Sequence, residues 1–441
     1  MTDDHGMTSR AYELDRAHVF HSWSAQETLD PMVIAGARGS RVVDSAGAAY
    51  LDFSSQLVFT NLGHGHPRIV QAIKDQAELL CTVAPQHAVA PRSEAAHLIA
   101  SLAPDGLNRV FFTNGGADAN EHAVRMARLH TGRPKVMSAY RSYHGGTYTA
   151  INMTGDARRW PSDTGTAGVV RFFGPFLYRS EFHASDEAEE CVRALAHLRR
   201  TIEAEGPATI AAIILETVPG TAGIMPPPDG YLPGVRELCD RYGIMLVLDE
   251  VMSGFGRAGE WLALDRYSVR PDLITFAKGV NSGYVPLGGV IISDAIAATF
   301  AHTPYPGGLT YSGHPLATAA AVATINTMSD EGTVAAAARL GRAVLGPGLR
   351  ALASSHAVIG DVRGVGAFWA VELVADRATR EPLPVASTLE IVAECRRLGL
   401  LVFTSANRIH VVPPCNLSDE DAAIGLSVLD RALARVGTVA S

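Results

Sequence analysis

Glu216, Asp249 and Lys278 each stand at the end of an apolar run: TIAAIILE, GIMLVLD and DLITFAK. Runs of this kind read as strands covered on both faces, where the alternation of a half-exposed strand is lost. In an open α/β sheet ligands bind at the carboxyl ends of the strands, so a polar residue just after such a run is placed to act. A desolvated carboxylate is costly unless a cation or several donors meet it, and a protonated pyridine nitrogen is one such cation for Asp249. Burial or a nearby positive charge lowers the pKa of Lys278 toward a value suited to imine chemistry. An Asp and a Lys from neighbouring strand ends are the pairing that a pyridoxal phosphate site requires. Taken alone, a lysine after a strand is usually solvated, and an aspartate there is usually a helix cap or half of a salt bridge. The combination is what points to chemistry.

A third element is TNGGADANEHAVRMAR. Thr113 to Gly116 make a tight turn after the strand RVFF, and a helical spacing follows. Free backbone N–H groups at a helix start, with no bulky side chain in the way, suit a phosphate. No GK[ST] follows, which excludes a Walker loop, and a G-x-G-x-x-G fingerprint is missing, which counts against a dinucleotide-dependent dehydrogenase.

The elements that must position these residues are legible in outline. GARGSRVVDSAGAAYLDFSS reads as a small β-meander leading through GHGHP into a helix. From about residue 105 to 315, strands (RVFF, KVMSAY, TIAAIILETV, GIMLVLDEV, DLITFA, GGVIIS) alternate with helical segments, as in a mostly parallel sheet with helices on both faces. The last stretch starts with an Ala-rich helix and continues through VRGVGAFWAVELV and NRIHVVPP, strands of a smaller sheet. The expected division is 1–70 and 319–441, the two chain ends, as a small α+β domain beside a large domain of 71–318.

The nine motifs LDFSSQLVFTNLGHGHP, TNGGADANE, SYHGGT, AAIILETVPGTAG, LVLDEVMSGFGRAG, LITFAKG, VPLGGV, LTYSGHP and VRGVGAFWAVEL follow one another along nearly the whole chain. In order and spacing they resemble the class III, or omega-type, aminotransferases of the fold-type I pyridoxal phosphate enzymes. The DEV-x-x-GFGR string with its K-G lysine 29 residues after the aspartate is the most specific of them. The resemblance implies that Lys278 carries the cofactor, that Asp249 keeps its pyridine nitrogen protonated, and that Tyr143 and Val251 sandwich the ring. It implies backbone donors from Gly116 and Ala117 to the phosphate, Glu216 near the ring oxygen, Glu121 as an orienting residue of the surrounding loop, and Thr310 reaching the phosphate from the partner subunit of a homodimer. Trp23 stands where relatives place an aromatic wall of the substrate pocket.

Some positions depart from the family pattern. Ala117 stands where a serine is common, and Met252 where a glutamine is frequent. Phe403 and His410 occupy positions at which relatives often carry an arginine for the substrate acid group, which leaves Arg408 as the nearest cation. The implied activity is transfer of an amino group from an omega-amino acid, a taurine-like amine or a diamine to pyruvate or 2-oxoglutarate by a ping-pong mechanism. A racemase, epimerase or lyase on the same cofactor site is the alternative, with a nicotinamide-dependent oxidoreductase that uses no pyridoxal phosphate, or a non-catalytic binding protein, as a more distant one.

Composition sets the outer limits. The 441 residues, 47% hydrophobic, suffice for two domains with a water-excluding core. A net charge of −8 with no sustained basic run argues against a nucleic-acid footprint. No apolar stretch is long enough to cross a bilayer, and the polar start MTDDHGMTSR does not read as a secretory signal, so a cytoplasmic location is expected. Cys81, Cys191, Cys239, Cys395 and Cys415 are odd in number and widely spaced, which suggests neither disulfides nor zinc. His64 and His66 shape the turn before Pro67, and His144 reads as a structural histidine; no metal is expected.

Overall fold

The computed structural model describes residues 4–163 and 168–436. Strands β1 (Ile34–Arg38), β2 (Arg41–Asp44) and β3 (Ala49–Asp52) form the antiparallel meander. The central strands are β4 (Arg109–Thr113), β5 (Lys135–Ala139), β6 (Val169–Phe172), β7 (Ile210–Glu216), β8 (Met245–Asp249), β9 (Leu273–Phe276) and β10 (Gly288–Ile292). They lie in the order β4-β10-β9-β8-β7-β5-β6. Only β10 runs antiparallel to its neighbours, β4 and β9; the other pairs are parallel. This is the fold-type I architecture, a mostly parallel sheet between helical layers.

The uninterrupted apolar runs behave as strands covered on both faces must: all seven residues of β7 are buried. Alternate residues serve two cores. Ile213, Leu215, Leu246 and Leu248 pack in one, and Ala212, Ile214 and Val247 in the other.

The remaining strands are β11 (Ile359–Val365), β12 (Phe368–Asp376), β13 (Glu381–Pro382), β14 (Leu400–Leu401), β15 (Phe403–Ser405) and β16 (Arg408–Val411). A second sheet runs β11-β12-β16-β15, with β13 on β12. Strand β14 leaves that sheet and pairs in parallel with β3, so the two chain ends share a four-stranded sheet. They also share a core, in which Leu51 and Phe53 pack with Leu345, Leu349, Ile409 and Leu429. Fully buried Arg257 ties this region to the centre, donating to the carbonyls of Ala367 and Pro413, to Ser55 Oγ and to Asn61 Oδ1.

Among the described residues no helix is long and apolar enough to cross a membrane, and no three His, Cys, Asp or Glu side chains could share a metal ion. His64 and His66 turn to separate carboxylates, Asp52 at 2.9 Å and Glu331 at 3.2 Å, and Pro67 opens a helix as expected.

Candidate active site

Three strand ends lie in register across the middle of the sheet: Glu216 on β7 is the Cα partner of Asp249 on β8, which is the partner of Thr275 on β9. Around the buried Asp249 carboxylate the donors converge. Oδ2 accepts from Asn120 Nδ2 and from His144 Nδ1, both at 2.8 Å, and Oδ1 accepts from the Val251 N–H at 3.0 Å. Asn120 is itself fixed, because its nitrogen also donates to the His144 carbonyl at 2.7 Å and its oxygen accepts from Thr275 Oγ1 at 2.7 Å. Such a network fixes an ionised carboxylate at one place and orientation.

A cavity of about 690 Å³ opens over this group. Asp249, Glu216, Lys278, Tyr143, Val251, Gly116, Ala117 and Trp23 all line it, together with Asn120 and His144. Lys278 stands one residue beyond the end of β9, after Ala277, in a left-handed backbone conformation, with φ of 48°. Burial lowers its pKa below the ordinary lysine value, against the opposing pull of Asp249 and Glu216. Glu216 is pushed up to about 7, by burial first and by the charge of Asp249 as well, while His144 pulls it back down. It accepts the N–H groups of Tyr143 and Gly220, each at 2.8 Å.

The glycine turn enters the same cavity. The helix Gly116–Thr131 starts directly after Gly115, three residues earlier than ANEHAVRMAR suggested, and no side chain caps it. Its first N–H groups are thus left for a ligand. Gly116 has no room for a side chain: a Cβ there would lie 2.8 Å from both γ-carbons of Val251. Glu121 on this helix accepts from Thr147 Oγ1 and from the N–H groups of Thr149 and Ala150, which anchors the loop after Tyr143.

Beyond Lys278 a second chamber of about 460 Å³ is lined by Trp23, Tyr143, Met252, Arg158, Phe403 and Arg408, among others. Trp23 is 70% exposed, so it is a wall of both spaces and not a core residue. Arg158 lies over the Tyr143 ring, 3.6 Å from its centroid, and is held by Asp156. His410 is fully buried edge-on to Phe403 and does not line the chamber. Thr310 lies outside both cavities, exposed on a loop that Ser312 Oγ fastens to the Phe112 carbonyl on β4.

The model of the aminotransferase class-III family matches residues 23–433. The chain belongs to that family. It is a pyridoxal-phosphate-dependent aminotransferase, similar to the taurine–pyruvate aminotransferase of Rhodobacter capsulatus, with 35% identity over 88% of this chain and 87% of the relative. The putrescine–pyruvate aminotransferase of Pseudomonas aeruginosa is 34% identical over 92% of this chain and 91% of its own. Among solved structures, the taurine:2-oxoglutarate aminotransferase of Bifidobacterium kashiwanohense, in complex with PLP and glutamate, superposes with a TM-score of 0.95 at 40% identity, covering 98% of each chain.

The aminotransferase's cavity fits its cofactor on its own terms. A carboxylate with three donors and, among the described residues, no lysine or arginine ion pair suits a ring cation, and an uncapped helix start beside a glycine with no room for a Cβ suits a phosphate. Two residues of this group escaped the sequence reading. Asn120 lies inside TNGGADANE, one helical turn after Gly116, and that placement was its only signal. His144, read as structural, proves to be bonded to Asp249 itself, a contact that its place beside Tyr143 does not reveal.

Proposed function

We propose that this aminotransferase moves an amino group from an omega-amino acid, a taurine-like amine or a diamine to pyruvate or 2-oxoglutarate, in the two half-reactions of a ping-pong cycle. Arg408 carries this reading: it faces the chamber next to Lys278 and forms no ion pair with a carboxylate among the described residues. A cation so placed favours donors with an acid group at the far end. The names of the relatives, taurine–pyruvate, putrescine–pyruvate and taurine:2-oxoglutarate aminotransferases, support the same donors and acceptors.

The division of labour follows from the positions. Lys278 would hold the cofactor covalently, and its amine, when free, would take and return the proton at the donor's amine-bearing carbon. Asp249 would keep the proton on the pyridine nitrogen. Bound pyridoxal phosphate supplies the electron sink. Tyr143 and Val251 would hold the ring, the N–H groups of Gly116 and Ala117 would hold the phosphate, and Glu216 would serve the ring-oxygen side; all five line the one cavity. Trp23 and Arg408 receive the substrate. The working unit of this reading is a cytoplasmic homodimer in which Thr310 completes the partner's phosphate site, with 71–318 as the cofactor domain and 1–70 and 319–441 as the small one.

Incubation of taurine, β-alanine, 4-aminobutyrate, butylamine and putrescine with pyruvate and with 2-oxoglutarate tests the proposal. Transfer from at least one acid-bearing donor, with parallel double-reciprocal plots, is expected. Transfer from none of them would overturn it.

A further inference from the structure

Arg408 on β16 and Glu372 on β12 are direct cross-strand partners in an antiparallel pair. Side chains at such positions are close neighbours, and a guanidinium facing a carboxylate there pairs with it by default. Here it does not. The buried Glu372 carboxylate is taken by two other arginines, Arg179 Nε at 2.6 Å from Oε1 and Arg363 Nη2 at 2.7 Å from Oε2.

The surrounding contacts fix that choice. Arg363 is further held by Asp361 at 2.6 Å and by the Gly223 carbonyl at 2.8 Å from its Nε. Gly223 has a φ of 136°, and a Cβ there would lie 2.6 Å from Arg363 Nη2 and 3.0 Å from Arg408 Cδ. Arg141, the remaining cation of the cluster, has its own carboxylate in Glu181. Arg408 is left with a contact to Ser405 Oγ at 3.5 Å and a buried Nε that has no partner among the described residues. Its pKa is lowered, mainly by burial, with Arg363, Arg179 and Arg141 adding repulsion and Glu372 opposing them. A cation in such company gains when an anion arrives from the chamber.

We infer that Arg179 and Arg363 are positioning residues for substrate recognition: by occupying Glu372 they keep Arg408 free to meet an anionic substrate. The inference rests on the reading of Arg408 given above. Without one of these two holders, Glu372 captures its cross-strand neighbour and the anion site closes from behind.

The probe is ethanesulfonate, an anion without a reactive amine, titrated calorimetrically into the holoenzyme. Arg408→Met should weaken its binding at least about tenfold; unchanged binding would remove the reading of Arg408 and the inference with it. Given that loss, Arg179→Met should also weaken ethanesulfonate by about tenfold, and adding Glu372→Gln should restore it to within about twofold of the parent. With Arg179→Met and its Glu372→Gln double variant, KM for an anionic donor should rise and recover while kcat and KM for butylamine stay put, a split that general loosening of the fold would not produce. Arg363→Met, with the same rescue, is the second variant if Arg179→Met does not fold. If the single variants bind as the parent does, or Glu372→Gln fails to rescue them, the inference falls while Arg408 keeps its role.

Discussion

The amide of Asn120 bonds Asp249 Oδ2 at 2.8 Å while its oxygen is held by Thr275, so a side chain from the neighbouring strand fixes the direction in which the Asp249 charge points. Asp249→Asn keeps the shape of this group but loses the charge, and it presents an amide where three donors already point inward. We expect the variant to bind cofactor and to lose most turnover, on the order of a hundredfold or more, since the lost interaction of a buried charge is worth about 3 kcal/mol. Near-normal rates with full cofactor loading would show that the ring proton does not depend on Asp249.

Lys278→Ala should abolish turnover. The unmodified protein should be yellow, and borohydride should fix a pyridoxyl group on the peptide that contains Lys278. A label recovered on another lysine would reassign the attachment site.

Glu216 lends itself to a pH test on the cofactor-free protein. Its folded pKa, about 7, lies above the ordinary carboxylate value of 4.5, so the folded state holds the extra proton between those values. Stability from this group is present at low pH and is lost as pH rises through about 7. Glu216→Gln cannot ionise, so its melting temperature relative to the parent should climb from pH 5 to pH 8, a change on the order of 3 kcal/mol. A difference that stays flat over this range would show that Glu216 is not held protonated.

Thr310→Ala should weaken cofactor affinity by about one to two powers of ten, the equivalent of a hydroxyl bond to a charged phosphate at roughly 1.5–3 kcal/mol. Mixing these subunits with an excess of Lys278→Ala subunits should restore tight binding and activity, because a mixed dimer holds one site with an intact lysine and an intact threonine from across the interface. With subunit exchange verified, absence of recovery would place Thr310 in its own chain's site or away from the phosphate altogether.

The strands that end at the candidate site were legible because their short apolar runs stop abruptly at Glu216, Asp249 and the lysine after Ala277, as strands buried on both faces do. The glycine turn was legible for a similar reason, since Gly115 and Gly116 punctuate a strand and a helix. What escaped depends on distant partners. Asn120 and His144 acquire their meaning only when β5, β7, β8 and β9 are laid side by side, which local patterns do not encode. Arg408 was found as a cation near the right place, but its lack of a carboxylate partner among the described residues follows from Arg179 and Arg363, residues far along the chain that no spacing connects to it. The two-residue strand β14 is too short for any periodicity to mark it.

That short strand has a consequence for how the protein is made. The β3 edge is completed by bonds from the Leu51 N–H to the Gly399 carbonyl and from the Phe53 N–H to the Leu401 carbonyl. Those carbonyls leave the ribosome about 350 residues after β3 does, a delay on the order of tens of seconds at ordinary rates of translation. Through that interval Leu51 and Phe53 lack the neighbours that bury them, and an unpaired strand edge is open to other chains. The meander therefore cannot mature as the nascent chain emerges. It is among the last parts to close, and the newborn chain's exposure to aggregation or chaperone capture should be concentrated there.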